Sequence, residues 1–297
     1  MSRLFVIIPS VRNEQALPSI KSGLFQKGFD DVFVILAGKS AASDGLRNAC
    51  AELSPKIYFD PSRAEKILPG TARNNGLKVA SENGIREDDY VLFLDDDIVA
   101  PEGFAAELRS FLETFTDSAA VMGRVESRPA NLWTRIIDYS NFWWLQVRHH
   151  VRDLGWLGAG ATMISYGSVK DTCFREDMHV GEDTDFFMRI ARREGKKLSI
   201  DALVTCEHFH GRESFSDFVS YQYKNGLLHT DWYSDGFSFK RFLNQFIGAS
   251  TTAISENKGY LARRPHILLG VLMSFFICFF GTQVGSINNK RNKAGLH

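Results

Sequence analysis

The chain has 297 residues, enough for one large domain or two small ones. Lys+Arg and Asp+Glu each number 35, so the formal charge is zero, and a strongly basic nucleic-acid-binding protein is not expected. The cysteines Cys50, Cys173, Cys206 and Cys278 lack CxxC spacing and read as buried small hydrophobes of a reducing compartment, not as a zinc site or disulfide frame. Residues 4–8 are apolar and β-branched and predict a strand; the run stops at Pro9, too short for a signal peptide. A loop-to-helix passage opens at Asn13-Glu14. Residues 32–36 predict a second strand, broken at Ala37-Gly38, and residues 56–59 a short third. Residues 70–81 predict a helix with Ala72, Leu77 and Ala80 available for one face. Residues 91–94 predict a strand that ends in Asp95-Asp96-Asp97. A helix over 104–115 carries Phe104, Leu108, Phe111, Leu112 and Phe115 in one stripe, and a strand follows at 119–122. This alternation predicts an α/β fold with a mostly parallel sheet covered on both faces.

Downstream, residues 131–156 hold Trp133, Trp143, Trp144 and Trp156, four of the five tryptophans, and the basic run Arg148-His149-His150. Core packing and an interfacial element near an acceptor site both fit them. Then come Gly158-Ala159-Gly160, a strand through Met163-Ile164, and the acidic Gly181-Glu182-Asp183-Thr184-Asp185. A helix is expected over 186–193, stopping at Gly195, and a strand at Leu203-Val204 leads into His208 and His210. An aromatic helix is expected over 215–225, and residues 237–247 suit an amphipathic helix on a membrane surface. Residues 267–287 carry no charge and reach the roughly 20 residues of a membrane-crossing helix. Arg263, Arg264 and His266 precede them and Lys290, Arg291 and Lys293 follow, which suits headgroup anchoring without setting an orientation. A buried core helix is the alternative. The expected organisation is a catalytic domain at 1–235, a juxtamembrane region at 236–265, and a membrane-spanning or membrane-inserted helix with a basic tail at 266–297.

Packing alone would not end a buried strand on three like charges. Adjacent anions repel and are costly to desolvate, and a divalent cation bound by oxygen ligands is the usual resolution. Ligand sites of open α/β sheets lie just beyond the carboxyl ends of strands. A solvated acidic turn is the alternative at Asp95-Asp96-Asp97, and N-terminal capping of the next helix is the alternative for Glu182-Asp183. An acidic strand end, a later acidic pair ahead of a helix, and then a histidine could together form a divalent site with a carboxylate left for proton transfer.

This ordered set resembles the family 2 glycosyltransferases, inverting enzymes of the GT-A fold, from Leu4 to about Gly226. Residues 4–9 with Asn13-Glu14 look like the family's opening strand and Pro-x-x-Asn-Glu turn, here with one extra residue. Gly70, Ala72-Arg73-Asn74 and Gly76 resemble its G-x-A-R-N-x-G helix start. Asp95 and Asp97 match the fixed acids of its DxD signature. Gly158, Ala159 and Gly160 resemble its donor-sugar and acceptor loop, Glu182-Asp183 its E-D-x-D helix, and His208 its closing histidine, with His210 an alternative. The resemblance implies a GT-A fold: Rossmann-like, with a mostly parallel central sheet flanked by helices. It implies transfer of a sugar from a nucleotide-diphosphate sugar to an acceptor hydroxyl, assisted by Mg²⁺ or Mn²⁺. Pro9, Glu14, Arg73, Asn74, Asp95 and Asp96 would bind the donor. Asp97, Asp95 and His208 would hold the metal. Asp183 would be the base, with Glu182 its alternative or a positioning group. The acceptor expected is lipid-linked or a cell-surface glycan precursor, and the catalytic half would face the cytoplasm at the membrane. The chain departs from the family after the second strand, where only Asp44 stands near Lys39-Ser40, so the nucleotide base is left open. It also lacks the Q-x-x-R-W pattern of processive synthases, having Tyr221-Gln222-Tyr223-Lys224-Asn225-Gly226 instead, which favours transfer of a single sugar. The rival expectations are an inert membrane-anchored scaffold on the same fold and a nucleotidyltransferase. The second is disfavoured because residues 9–13 contain no glycine.

Overall fold

The computed structural model describes residues 2–61, 67–232, 247, 251 and 264–293. The strands are β1 (Leu4–Pro9), β2 (Val32–Ala37), β3 (Ile57–Phe59), β4 (Tyr90–Leu94), β5 (Ile98–Val99), β6 (Ser118–Ser127), β7 (Ala161–Ser165) and β8 (Lys197–His208). The α-helices are α1 (Leu17–Leu24), α2 (Asp44–Ala51), α3 (Pro69–Glu82), α4 (Phe104–Thr114), α5 (Leu132–Ser140), α6 (Tyr166–Val169), α7 (Glu182–Glu194), α8 (Phe215–Trp232) and α9 (Pro265–Lys293). The chain divides into two compact units, Met1–Arg124 with His149–His208, and Val125–Arg148 with Phe209–His297. The expected juxtamembrane stretch 236–265 lies outside the described residues, apart from Ile247, Thr251, Arg264 and Pro265.

The sheet runs β3-β2-β1-β4-β7-β6-β8-β5. Strands β3, β2, β1 and β4 are parallel, as the alternating pattern predicts. β7 then runs antiparallel to both β4 and β6, and β5 antiparallel to β8, so the whole sheet is mixed. The parallel half is built from continuous apolar runs because both its faces are covered. Leu4 through Ile8 and Val91 through Leu94 are fully buried. Helix α3 lies tight on β1: a Cβ at Gly76 would collide with the Ile7 side chain. Helix α7 begins at Glu182, four residues before the expected start. Gly181, at φ 83°, takes the left-handed conformation that turns the chain into it, and three acids in its first turn complement the helix dipole.

At the opposite end of the parallel strands, Asp89 ties β4 to β1. Its carboxylate accepts hydrogen bonds from Arg3 N (2.8 Å), Arg3 Nε (3.0 Å), Arg3 Nη2 (2.6 Å) and Arg86 N (2.8 Å). Burial alone would raise this carboxyl, but the bonds from Arg3 and Arg86 outweigh it and hold it below its ordinary value. Asp89→Ala, leaving Arg3 without its carboxylate partner, is expected to cost about 3 kcal/mol in urea denaturation. Because the folded value lies below the unfolded one of about 3.9, this stabilisation is complete above that pH and fades as pH falls further. The gap between wild type and Asp89→Ala is therefore expected to narrow in acid; a constant gap would contradict the pairing.

The second unit is helical. Asn131 caps α5 by accepting from Trp133 N and Thr134 N. One face of α9 packs Ile267, Val271 and Phe275 against Tyr139 and Trp143. Met273 and Ile277 of α9 join Ile136, Ile137 and Phe218. At Gly226, α8 approaches α9 so closely that a Cβ would strike the Cys278 carbonyl, and Thr282 Oγ1 donates to Gly226 O at 3.1 Å. Trp133 stacks on Phe218, and Trp144 is buried, so these two tryptophans serve the core.

Candidate active site

The chain turns between β4 and β5, with Ile98 N donating to Asp95 O at 3.1 Å, and this turn divides the three carboxylates among three tasks. Asp96 turns back under the loop after β1: its Oδ2 accepts from Ser10 Oγ (2.9 Å), Val11 N (2.9 Å) and Arg12 N (3.2 Å). Burial raises its carboxyl above the ordinary value, against the pull of the Val11 and Ser10 bonds. Asp96 thus anchors the loop that Pro9 opens. Asp97 shares Arg12 with Asp96 and also reaches His208. Its Oδ2 lies 2.7 Å from Arg12 Nη2 and 3.3 Å from His208 Nε2. His208 reaches this position because β8 pairs with β5, with His208 opposite Ile98.

Asp95 faces helix α3, where its Oδ1 accepts from Arg73 Nη2 at 2.9 Å. Arg73 Nη1 donates to Glu182 Oε1 at 2.7 Å, so one buried guanidinium joins the end of β4 to the start of α7. Burial alone would lower its pKa, but Asp95, Glu182 and Asp183 outweigh that and hold it charged. Its Nε finds no hydrogen-bond partner among the described residues. Burial first, and the neighbouring Asp183 charge second, push Glu182 up to about 7 even with Arg73 beside it.

Asp183 is half-buried in the first turn of α7. Its Oδ1 accepts from Thr184 N (2.7 Å) and its Oδ2 from Ala159 N (3.1 Å). The loop Gly158, Ala159, Gly160 therefore runs between the two acidic groups, with Gly160 O accepting from Asp95 N at 2.9 Å. A Cβ at Gly160 would lie 3.1 Å from Asp95 Oδ2, so any side chain there would crowd that carboxylate. Thr162 Oγ1 donates to Gly158 O at 2.6 Å and holds the loop from below.

The structure thus brings together Asp95, Asp96, Asp97, Arg73, Glu182, Asp183, His208 and the 158–160 loop. Two other predicted donor contacts have partners elsewhere. The Asn74 amide clamps the Phe174 backbone, donating to its carbonyl at 3.0 Å and accepting from its N–H at 2.8 Å. Glu14 is exposed, with its carboxylate beside Gly45 at the start of α2. His210 lies against Ser127 Oγ at 2.9 Å and accepts from Arg212 N. Arg12 is the residue that sequence reasoning missed. Its signal was the extra residue in the turn between Pro9 and Asn13, which puts a guanidinium against Asp96 and Asp97.

Two guanidinium groups pair with this acidic cluster: Arg12 lies against Asp96 and Asp97, and Arg73 against Asp95 and Glu182, with Asp183 beside them. With the acids ionised, such a site repels an anionic ligand unless a further cation enters with it. Among the described residues, no group of three or more His, Cys, Asp or Glu side chains converges closely enough to hold a metal ion by itself. Asp97 and His208 nonetheless present an oxygen and an imidazole nitrogen to each other, a donor set that suits Mg²⁺ or Mn²⁺ completed by phosphate and water oxygens.

The architecture is that of the GT-A glycosyltransferases. Residues 1–349 of S. aureus TarS share the fold at a TM-score of 0.51 and 12% identity, over 94% of this chain and 81% of that one. A mannosyltransferase from Pyrobaculum calidifontis, PcManGT, solved with GDP-Man and Mn²⁺, matches at a TM-score of 0.53 and 15% identity, over 92% and 73%. The family model for glycosyl transferase family 2 matches residues 5–168, over half of the chain, and the protein belongs to that family. The matched segment includes Arg73, the three aspartates and the 158–160 loop, and it ends before Glu182, Asp183 and His208. No curated protein sequence matches the chain.

Proposed function

We propose that this glycosyltransferase moves one sugar from a nucleotide-diphosphate sugar to an acceptor hydroxyl, with inversion at the anomeric carbon and with the help of a divalent cation. The observation that carries the reading is the single guanidinium of Arg73 holding Asp95 and Glu182 on either side of the 158–160 loop. That geometry supports a reading of Asp95 as a donor-binding acid and of Glu182 and Asp183 as candidate bases at one strand end. Asp97 and His208, with Asp95, would hold the cation, which when bound supplies positive charge to the departing nucleoside diphosphate. Arg12 gives a second positive group beside the same acids and suits a phosphate oxygen once it releases Asp97. Asp95 also accepts from the donor ribose. Asp183 takes the proton of the acceptor hydroxyl as its oxygen attacks, while the Ala159 and Thr184 amides keep the carboxylate oriented. Glu182, held by Arg73, positions this turn of the helix.

A GDP-mannose complex belongs to one neighbour of the same fold, and this chain's sugar is to be found by experiment. The acceptor suited to the apolar helix over Pro265–Ile287, of mean hydropathy 2.1, is a lipid-linked or cell-surface glycan precursor, met at the cytoplasmic face of a membrane. Purified protein in detergent is to be given a panel of nucleotide sugars with Mn²⁺, Mg²⁺ or chelator. One donor should release its nucleoside diphosphate with either metal, and chelator should reduce release to background. NMR of the first product should show the inverted anomer. Failure to bind any donor, with or without metal, would leave a scaffold of glycosyltransferase fold.

A further inference from the structure

The apolar segment of α9 meets the length for crossing a bilayer, yet its surroundings in the second unit suit another placement. On a helix of 3.6 residues per turn, Leu269, Leu272, Phe276, Phe280 and Ile287 fall within an arc of about 80°. All five side chains are exposed, Leu269 at 67%, Phe276 at 63% and Phe280 at 64%. The rest of the circumference is occupied. Ile267 and Val271 pack on α5, Met273 and Ile277 on Ile136 and Phe218, and Thr282 on Gly226 of α8. Two companion helices therefore follow α9 from Ile267 to Thr282.

Those companions are not membrane segments. α8 carries Asp217 and Lys224 on exposed positions, and α5 carries Arg135, 3.2 Å from Asp138. If α9 stood across the bilayer with these helices at its side, their charges would enter the hydrocarbon, where they are costly. If α9 lies along the surface, its exposed apolar arc faces lipid while α5 and α8 stay on the water side. Arg264 and His266 at its start, and Lys290, Arg291 and Lys293 near its end, then meet headgroups at both ends of the same surface. We propose that α9 lies in the plane of one leaflet as an interfacial anchor, its outer arc sunk to acyl depth and its basic ends on anionic headgroups. This rests on the membrane-bound reading above and specifies its geometry.

The full chain is to be floated with vesicles of phosphatidylethanolamine and phosphatidylglycerol, and its topology read in inverted membrane vesicles from expressing cells. Exposed Cys173 reports the first unit, and Lys293→Cys reports the far end of α9. A membrane-impermeant maleimide should label both in intact inverted vesicles. Labelling of one and protection of the other would mean a spanning helix, overturning the in-plane placement while leaving membrane attachment intact. Absence of the protein from both membranes and floated vesicles would overturn both readings. Leu269→Glu with Phe276→Glu should lower vesicle partitioning more than tenfold without moving the thermal transition, since both side chains are exposed. Unchanged partitioning would overturn the role of the arc. A dimer in lipid-free buffer that these substitutions dissolve, with no flotation of wild type, would assign the arc to a second copy instead.

Discussion

Asp183→Asn is expected to lower kcat about 1,000-fold while leaving donor affinity within a factor of two or three, the pattern of a lost proton acceptor. The substitution is nearly isosteric, so the first turn of α7 should keep its shape. The amide retains a carbonyl oxygen for one of the two backbone N–H groups that now hold the carboxylate, Thr184 N and Ala159 N. It cannot take a proton at neutral pH. Asp183 is preferred to Glu182 as the base on geometry: the Glu182 carboxylate is buried and spent on Arg73, whereas Asp183 is half-buried beside the 158–160 loop. Glu182→Gln should therefore weaken turnover less than Asp183→Asn. The two substitutions are compared by single-turnover kinetics and donor titration on the same preparations. If Asp183→Asn keeps turnover within tenfold of wild type, the base lies elsewhere, and Glu182 becomes the first residue to test.

What could be read from the sequence was local. The parallel strands announced themselves as continuous apolar runs, and Asp95-Asp96-Asp97 marked where one of them ends. The helix at α3 was visible from its glycine and alanine spacing. What could not be read depended on contacts between distant residues. Nothing in periodicity says that β7 runs antiparallel to β4, since a buried strand has the same composition in either direction. The Arg73–Glu182 bridge joins positions 109 residues apart, and both residue types are ordinary at exposed helix positions. His208 and His210 stand two residues apart and look equivalent in sequence. The strand pairing of β8 with β5 carries His208 to Asp97, while His210 lies beyond the strand end and meets Ser127. Asp96 and Asn74 show the converse. Each sits in a recognisable motif, and each spends its side chain on backbone groups of a neighbouring loop.

The second large effect falls on Arg73. Arg73→Met keeps most of the side chain's volume and removes its charge, leaving the Asp95 and Glu182 carboxylates facing one another across the strand end without their shared cation. Breaking a buried pair such as Arg73–Glu182 costs about 3–5 kcal/mol, and the partly exposed Arg73–Asp95 pair adds less. Arg73→Lys should recover only part of the loss, because one ammonium cannot repeat two separately directed guanidinium bonds. The penalty should also depend on pH. Glu182 is already pushed up to about 7 by burial and by Asp183, with Arg73 pulling it down. Its unfolded value is about 4.3, so the folded protein binds the extra proton between these limits and loses stability as pH rises through them. Without Arg73 the folded value moves higher still, and the loss continues into more alkaline solution. The stability gap between wild type and Arg73→Met should therefore be wider at pH 8 than at pH 5.5. Adding Glu182→Gln to Arg73→Met should restore part of the stability and flatten that dependence, a coupling that a double-mutant cycle measures directly. A gap of equal size at both pH values would mean that the guanidinium stabilises this site by packing on Phe174, which it overlies at 5.7 Å, rather than by holding two acids apart.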